Sequence, residues 1–85
     1  MKVYVKFFIF DLPPGFEDAE LELQDDAILN DVLDACLDVF KTRNVSMDEN
    51  ELRTATIIVN GKWSGLDAHV SDEDTVNIIR PMDGG

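Results

Sequence analysis

Apolar and polar residues alternate with a period of two at the start of the chain. Val3, Val5, Phe7 and Ile9 fall on one side, and Lys2, Tyr4, Lys6, Phe8 and Phe10 on the other. This predicts a strand over residues 2–10 with its wholly apolar side against a core. Asp11-Leu12-Pro13-Pro14-Gly15 interrupts it, because neither proline can donate to a ladder. Alternation returns within residues 16–24, with Ala19, Leu21 and Leu23 on one side, so the first two strands are expected to form a hairpin. From residue 28 to residue 43 the period changes to that of a helix. Leu29, Val32, Leu33, Cys36, Leu37 and Phe40 make one face, and Asp31, Asp34 and Asp38 the opposite one. Asp25 and Asp26 are placed to cap the helix start, Lys41 and Arg43 suit the negative end of its dipole, and Asn44 is a stop.

Residues 45–53 are polar and without period, a loop with room for one helical turn near residues 48–52. Residues 55–59 are β-branched and apolar, as in a buried strand. Asn60-Gly61 then signals a type I′ hairpin, whose two central residues need positive φ, with Lys62-Trp63 starting a short return strand. Residues 64–70 are irregular, with Leu66 as the expected core contact, and Ser71-Asp72-Glu73-Asp74 is a tight polar turn. A last strand is expected over residues 75–80, ended by Pro81. The first and last strands are the most apolar, so both are expected at the centre of the sheet as parallel neighbours. The fold class is α+β: a mixed sheet of four to five strands packed on one main helix, which is the β-grasp or ubiquitin-like arrangement. Residues 1–80 are expected to form one domain. Residues 81–85 are expected to form a flexible tail, since Pro81-Met82-Asp83-Gly84-Gly85 offers little to offset the entropy of ordering it.

Charge narrows the range of partners. The chain has 85 residues, with 7 basic against 18 acidic and a net charge of −11, a surface repelled by nucleic acid and by anionic membranes. No apolar run approaches the ~18 residues of a membrane span. Met1 leads directly into strand-like sequence, so no signal peptide is expected, and the single cysteine excludes a disulfide within the chain. The expected compartment is the cytoplasm. No glycine-rich phosphate loop, metal-ligand spacing or nucleophile–base motif is present, so the chain is not expected to be an enzyme or to hold a cofactor or metal. Cys36 reads as a buried thiol, His69 as a surface imidazole, and the three helix aspartates as a solvated face.

The Gly84-Gly85 pair is the exception. A tail without Cβ atoms can thread a narrow slot and present the carboxylate of Gly85. That carboxylate, with an ordinary pKa of ~3.3–3.7, is ionised at neutral pH and is a poor acyl donor. Attack on the α-phosphorus of ATP would activate it as an acyl-adenylate, a step that a partner must supply.

Several stretches follow one another in a telling order: Ile57-Ile58-Val59-Asn60-Gly61-Lys62-Trp63, Leu66-Asp67, Val70-Ser71-Asp72-Glu73-Asp74-Thr75-Val76 and Pro81-Met82-Asp83-Gly84-Gly85. Together they resemble the sulfur carriers of the MoaD/ThiS type, which include the small subunit of molybdopterin synthase and the thiamine-biosynthesis sulfur carrier. Length and the proline before the tail look more like the molybdopterin branch. The resemblance implies that Gly85, with Gly84, is adenylated and converted to a thiocarboxylate that donates sulfur in molybdopterin (molybdenum or tungsten cofactor) synthesis. It implies two partners, a ubiquitin-activating-enzyme-like adenylyltransferase (MoeB/ThiF type) and a sulfur-accepting synthase subunit (MoaE type). The alternatives are a carrier for thiamine or another sulfur-containing metabolite, a protein modifier forming isopeptide bonds through Gly85, and a binding module whose tail does no chemistry. Tyr4, Phe8 and Phe10 are expected on the sheet face away from the helix. The candidate partner-binding residues are Phe8, Phe10, Ile79, Pro81 and Met82.

Overall fold

The computed structural model describes residues 1–81. Five strands form one sheet: β1 (Lys2–Phe8), β2 (Asp18–Glu22), β3 (Thr56–Val59), β4 (Lys62–Trp63) and β5 (Thr75–Ile79). Their order across the sheet is β2-β1-β5-β3-β4. β1 runs parallel to β5, with Tyr4 opposite Thr75 and Phe8 opposite Ile79, while the other three pairings are antiparallel. The expected central parallel pair and mixed sheet are therefore present. One face is covered by α1 (Leu29–Thr42), joined by the short α2 (Glu49–Arg53).

The alternating residues of the sheet meet the helical stripe in a single core. Val3, Val5, Phe7, Leu21, Ile57, Val76 and Ile78 come from the strands and Leu29, Val32, Leu33, Cys36 and Phe40 from α1. Phe7 and Phe40 lie with ring centroids 5.2 Å apart, within the range of favourable aromatic pairs. Cys36 is buried, as expected, and loss of hydration pushes its thiol pKa up from 9.0 to about 12.

Both ends of α1 are closed by backbone. Leu29 N–H donates to the Ala68 carbonyl and Asn30 N–H to the Leu66 carbonyl, each at 2.9 Å. The irregular segment 64–70 thus satisfies donors that a helix start leaves unpaired. The side-chain contribution comes from Asp31, whose carboxylate accepts Ile28 N–H at 3.0 Å. This corrects the expectation for Asp25 and Asp26. The helix starts only at Leu29, so both aspartates sit in the preceding turn, exposed and out of capping reach. At the other end Asn44 takes φ 57°, Asn44 N–H donates to Lys41 and Val45 N–H to Phe40. These bonds make a Schellman termination, so Asn44 is the stop that the sequence indicated.

One further detail agrees with the sequence reading, a helical turn near residues 48–52, and one differs, the end of the first strand. The polar stretch after α1 holds a helix at Glu49–Arg53, capped by Asp48, whose carboxylate accepts Asn50 N–H at 2.9 Å, and anchored by fully buried Leu52. Arg53 ties it to α1 through Asn30 and Asp34. The first strand ends at Phe8 rather than Phe10. Ile9 takes φ 69°, and one left-handed residue inverts the alternation after it. Ile9, expected in the core, is 60% exposed. Phe10, expected on the outer face, is half-buried and sets its ring edge-on to Phe7 at 6.0 Å.

Leu33→Ala is expected to cost about 2–5 kcal/mol, the range for a fully buried leucine, read from urea denaturation. The Cys36 thiol sets a pH dependence. Its folded-state pKa lies above the unfolded one, so the stability carried by the neutral thiol is complete below about 9 and is lost as pH rises toward about 12. Thiol labelling at pH 8 should proceed only as fast as the protein opens, and labelling at the rate of a free thiol would contradict this placement.

Candidate docking surface and tail root

Alternation that fills the core with one set of side chains displays the other set on the far face of the sheet. Tyr4, Lys6 and Phe8 stand there on β1, Thr75, Asn77 and Ile79 on β5, Thr56 and Ile58 on β3, and Trp63 on β4. Phe8 is opposite Ile79, which is opposite Thr56. Asn77 is opposite Ile58, which is opposite Trp63. Phe8 is 43% and Trp63 82% exposed, while Ile58 and Ile79 are half-buried. An apolar group of this kind, on a face with no covering element among the described residues, is a candidate interaction site. Within it the Asn77 side-chain oxygen is buried and has no hydrogen-bond partner among the described residues.

The candidate residues separate into three groups. Phe8 and Ile79 are brought side by side on the outer face. Phe10 is not, because Ile9 redirects the chain. Pro81 is half-buried just past the last strand, and Met82, Gly84 and Gly85 lie outside the described residues. Trp63, Ile58 and Ile9 were not among the candidates. Trp63 and Ile58 were within reach of the pattern: with Val59 inward, alternation across the Asn60-Gly61 hairpin sends Ile58 outward and Trp63 with it. Nothing in the pattern announces a positive φ at a β-branched residue such as Ile9.

The segment leading to the tail is anchored. Arg80 N–H donates to the Phe8 carbonyl at 3.0 Å, extending the central ladder by one bond beyond Ile79. Its guanidinium donates to Glu51 on α2, from Nη2 at 2.9 Å and Nε at 3.3 Å. The chain therefore leaves the sheet at a fixed point beside Phe8, with α2 as a strut. Cys36 and His69 take no part: the thiol is in the core, and His69 is an exposed residue in an isolated bridge to Ile28. Among the described residues no cluster of three or more histidine, cysteine or acidic side chains is arranged to hold a metal ion. No described helix is long and apolar enough to cross a membrane.

No family model matches the chain, and no curated protein matches it. Solved structures do. A Pyrococcus furiosus protein described as subunit 1 of a molybdopterin converting factor superposes with a TM-score of 0.67 at 24% identity, covering 95% of this chain and 98% of its own. Small archaeal modifier protein 1 of Haloferax volcanii gives 0.67 at 20% identity with the same coverage. One chain from the complex of subunits 1 and 2 of the molybdopterin-converting factor from Helicobacter pylori gives 0.56 at 20%, covering 100% of this chain and 100% of its own. At these identities the likeness establishes the fold, a ubiquitin-like β-grasp.

Because Phe8 and Trp63 face outward, Phe8→Asp and Trp63→Ala should each change unfolding free energy by no more than about 0.5 kcal/mol. The emission of Trp63 in the free protein should be quenched by acrylamide nearly as well as that of free tryptophan. A protected Trp63 would mean that this face is already covered.

Proposed function

We propose that the chain is a ubiquitin-like sulfur carrier, a substrate and subunit in place of an enzyme. The reading is carried by one observation: the last strand delivers the tail from an anchored point beside an outward apolar surface of Phe8, Ile79, Ile58 and Trp63. A body that docks and a slim tail that reaches are what remote activation of a carboxylate requires. The neighbours named as molybdopterin converting factor subunits support this use of the fold, and the Gly84-Gly85 sequence supplies the slim end. In the proposed sequence a Gly85 carboxylate oxygen attacks the α-phosphorus of ATP and pyrophosphate leaves. A sulfur nucleophile at the sulfide level then displaces AMP from the acyl carbon, leaving a thiocarboxylate.

The partners of this reading are an adenylyltransferase related to ubiquitin-activating enzyme and a synthase subunit that accepts the sulfur. The pathway we assign is molybdopterin synthesis, carried out in the cytoplasm. The structural likeness to a small archaeal modifier protein gives weight to a second reading, in which the activated Gly85 forms isopeptide bonds with lysines. The test is intact-mass spectrometry after incubation with an adenylating enzyme, ATP and a sulfur donor. The native chain should gain the mass difference between sulfur and oxygen. A chain lacking Gly85 has its reach shortened by about 3.3–3.6 Å, too much for a reacting group that must be placed within ~3–3.5 Å, and should gain nothing. A chain with one appended residue should also stay unmodified. Equal sulfur loading of native and altered chains would overturn the reading, and conjugates to lysines in place of a thiocarboxylate would favour the modifier.

Phe8→Asp and Trp63→Ala are expected to raise the KM for this chain as the adenylating enzyme's substrate by at least tenfold, with kcat little changed, the pattern of lost docking. Glu51→Ala releases the strut on Arg80 without touching the docking face and should lower kcat more than it raises KM.

A further inference from the structure

We infer that the open edge of β2 is a second docking site, one that receives an extended segment of another protein in which basic and apolar residues alternate. The phase of the hydrogen bonds between β1 and β2 is fixed at both ends. Leu23 N–H donates to the Met1 carbonyl and Phe7 N–H to the Glu17 carbonyl, each at 2.8 Å. With Val3 opposite Leu21 and Val5 opposite Ala19, residues 17, 19, 21 and 23 turn their backbone groups toward β1. Asp18, Glu20 and Glu22 turn theirs outward, where β2 is the last strand of the sheet. An edge of this length that no described strand covers is a template for strand addition.

The two sides of that edge differ in chemistry. On the helix side a groove of about 470 Å³ opens between β2 and α1, lined by Phe16, Ala19, Leu21, Val39 and Phe40 with Arg43 at its rim. Phe16, Ala19 and Val39 are only half-buried, so the groove leaves apolar surface that an incoming side chain would cover. On the other side stand the exposed carboxylates of Asp18, Glu20 and Glu22. Lys2 approaches Glu20 only at 3.8 Å, an exposed and weak pairing. A strand added to β2 sends alternate side chains to the two sides. Those beside the carboxylates are favoured as lysine or arginine, and those over the groove as valine, isoleucine or leucine. Asp18 and Glu20 border the groove at the strand edge and Arg43 at α1, so it is the apolar surface of Phe16, Ala19 and Val39 that favours apolar residues on this side and sets the phase of the segment.

Charge selects this occupant over the others. The sequence 82–85 carries Asp83 and no base. A second copy pairing through its own β2 would set three acids against three. The opposite sheet edge, β4, is two residues long, too short to lay along β2. The β2 edge lies at the opposite end of the sheet from Trp63 on β4, and the existence of the site does not depend on the chemistry of Gly85.

The test is an NMR titration of the full-length, nitrogen-15-labelled chain with an acetylated, amidated peptide of alternating lysine and valine. Two controls accompany it, one with the same residues in two blocks and one with glutamate in place of lysine. The amide signals of residues 18–22 and of Val39 should move with the alternating peptide, with binding at least tenfold tighter than for either control and weakened by salt. Glu20→Lys combined with Glu22→Lys should weaken binding at least tenfold. Glu20→Pro removes one outward N–H while leaving the β1 ladder intact, since proline is tolerated on the free side of an edge strand, and should abolish binding. If that variant fails to fold, the double lysine variant decides. Equal binding of the block peptide, shifts confined to the Phe8 and Trp63 face, no shifts at β2, or solvent-protected amides of Asp18, Glu20 and Glu22 in the free chain would each overturn the inference. The last would show an edge already covered by this chain or by a second copy.

Discussion

Residues 4–8 lie parallel to residues 75–79, and the position of nearly every other group follows from that ladder. Parallel strands cannot be joined by a tight turn, so the chain between them must cross over, and α1 makes that crossing on one face. Once α1 is there, Val3, Val5, Phe7, Val76 and Ile78 have an apolar partner layer, and the alternate residues of the same two strands are left to the outside. The two central strands thus divide the sheet into a face that holds the fold together and a face available for recognition. The ladder also sets where the chain exits, because β5 ends level with Phe8 and Arg80 is bonded to both Phe8 and Glu51.

The surface features of the molecule are distributed around this core with little overlap. Among the described residues the buried face contains no titratable group other than the suppressed thiol of Cys36. Outward apolar groups lie at the middle and β4 side of the outer face, and acids line the opposite edge on β2. The small α2 has two tasks. Leu52 seals the core, while Glu51 and Arg53, its neighbours in sequence, reach in different directions, to Arg80 and to α1. A short helix with one buried leucine can serve in this way because its charged residues already stand at the surface of the element they brace.

Much of the fold was legible because it rests on periodicity. The change from period two to period 3.6 located α1, and the apolar first and last strands indicated the central pair. Asn44 marked the helix stop and Asn60-Gly61 the hairpin by residue type, and all three take positive φ. The features that were not legible depend on single dihedrals and on tertiary contacts. Ile9 adopts a conformation that its own side chain disfavours, and the inversion that follows moved Phe10 from the outer face to the core. Asp25 and Asp26 had the composition of caps, but the helix N–H groups were taken by carbonyls of residues 66 and 68, far away in sequence. On the outer face Phe8 and Ile79 could be read strand by strand. Trp63 required carrying the alternation across a hairpin, and residues 82–85, where the chemistry is proposed, lie outside the described structure.

Asn60 gives the molecule a chemical lifetime. An asparagine followed by glycine is open to attack by the glycine nitrogen on the side-chain carbonyl, which converts the amide to an acid. Here both ends of that amide are engaged: Nδ2 donates to Asp74 at 2.7 Å and Oδ1 accepts Thr75 N–H at 3.0 Å. While those bonds hold, the side chain is kept from folding back on Gly61. Once the amide is hydrolysed, the donor to Asp74 is gone and two carboxylates face each other at the start of the central strand β5, where like charges disfavour joint ionisation. The hairpin turn thus connects the ageing of a single side chain to the strand on which the sheet depends.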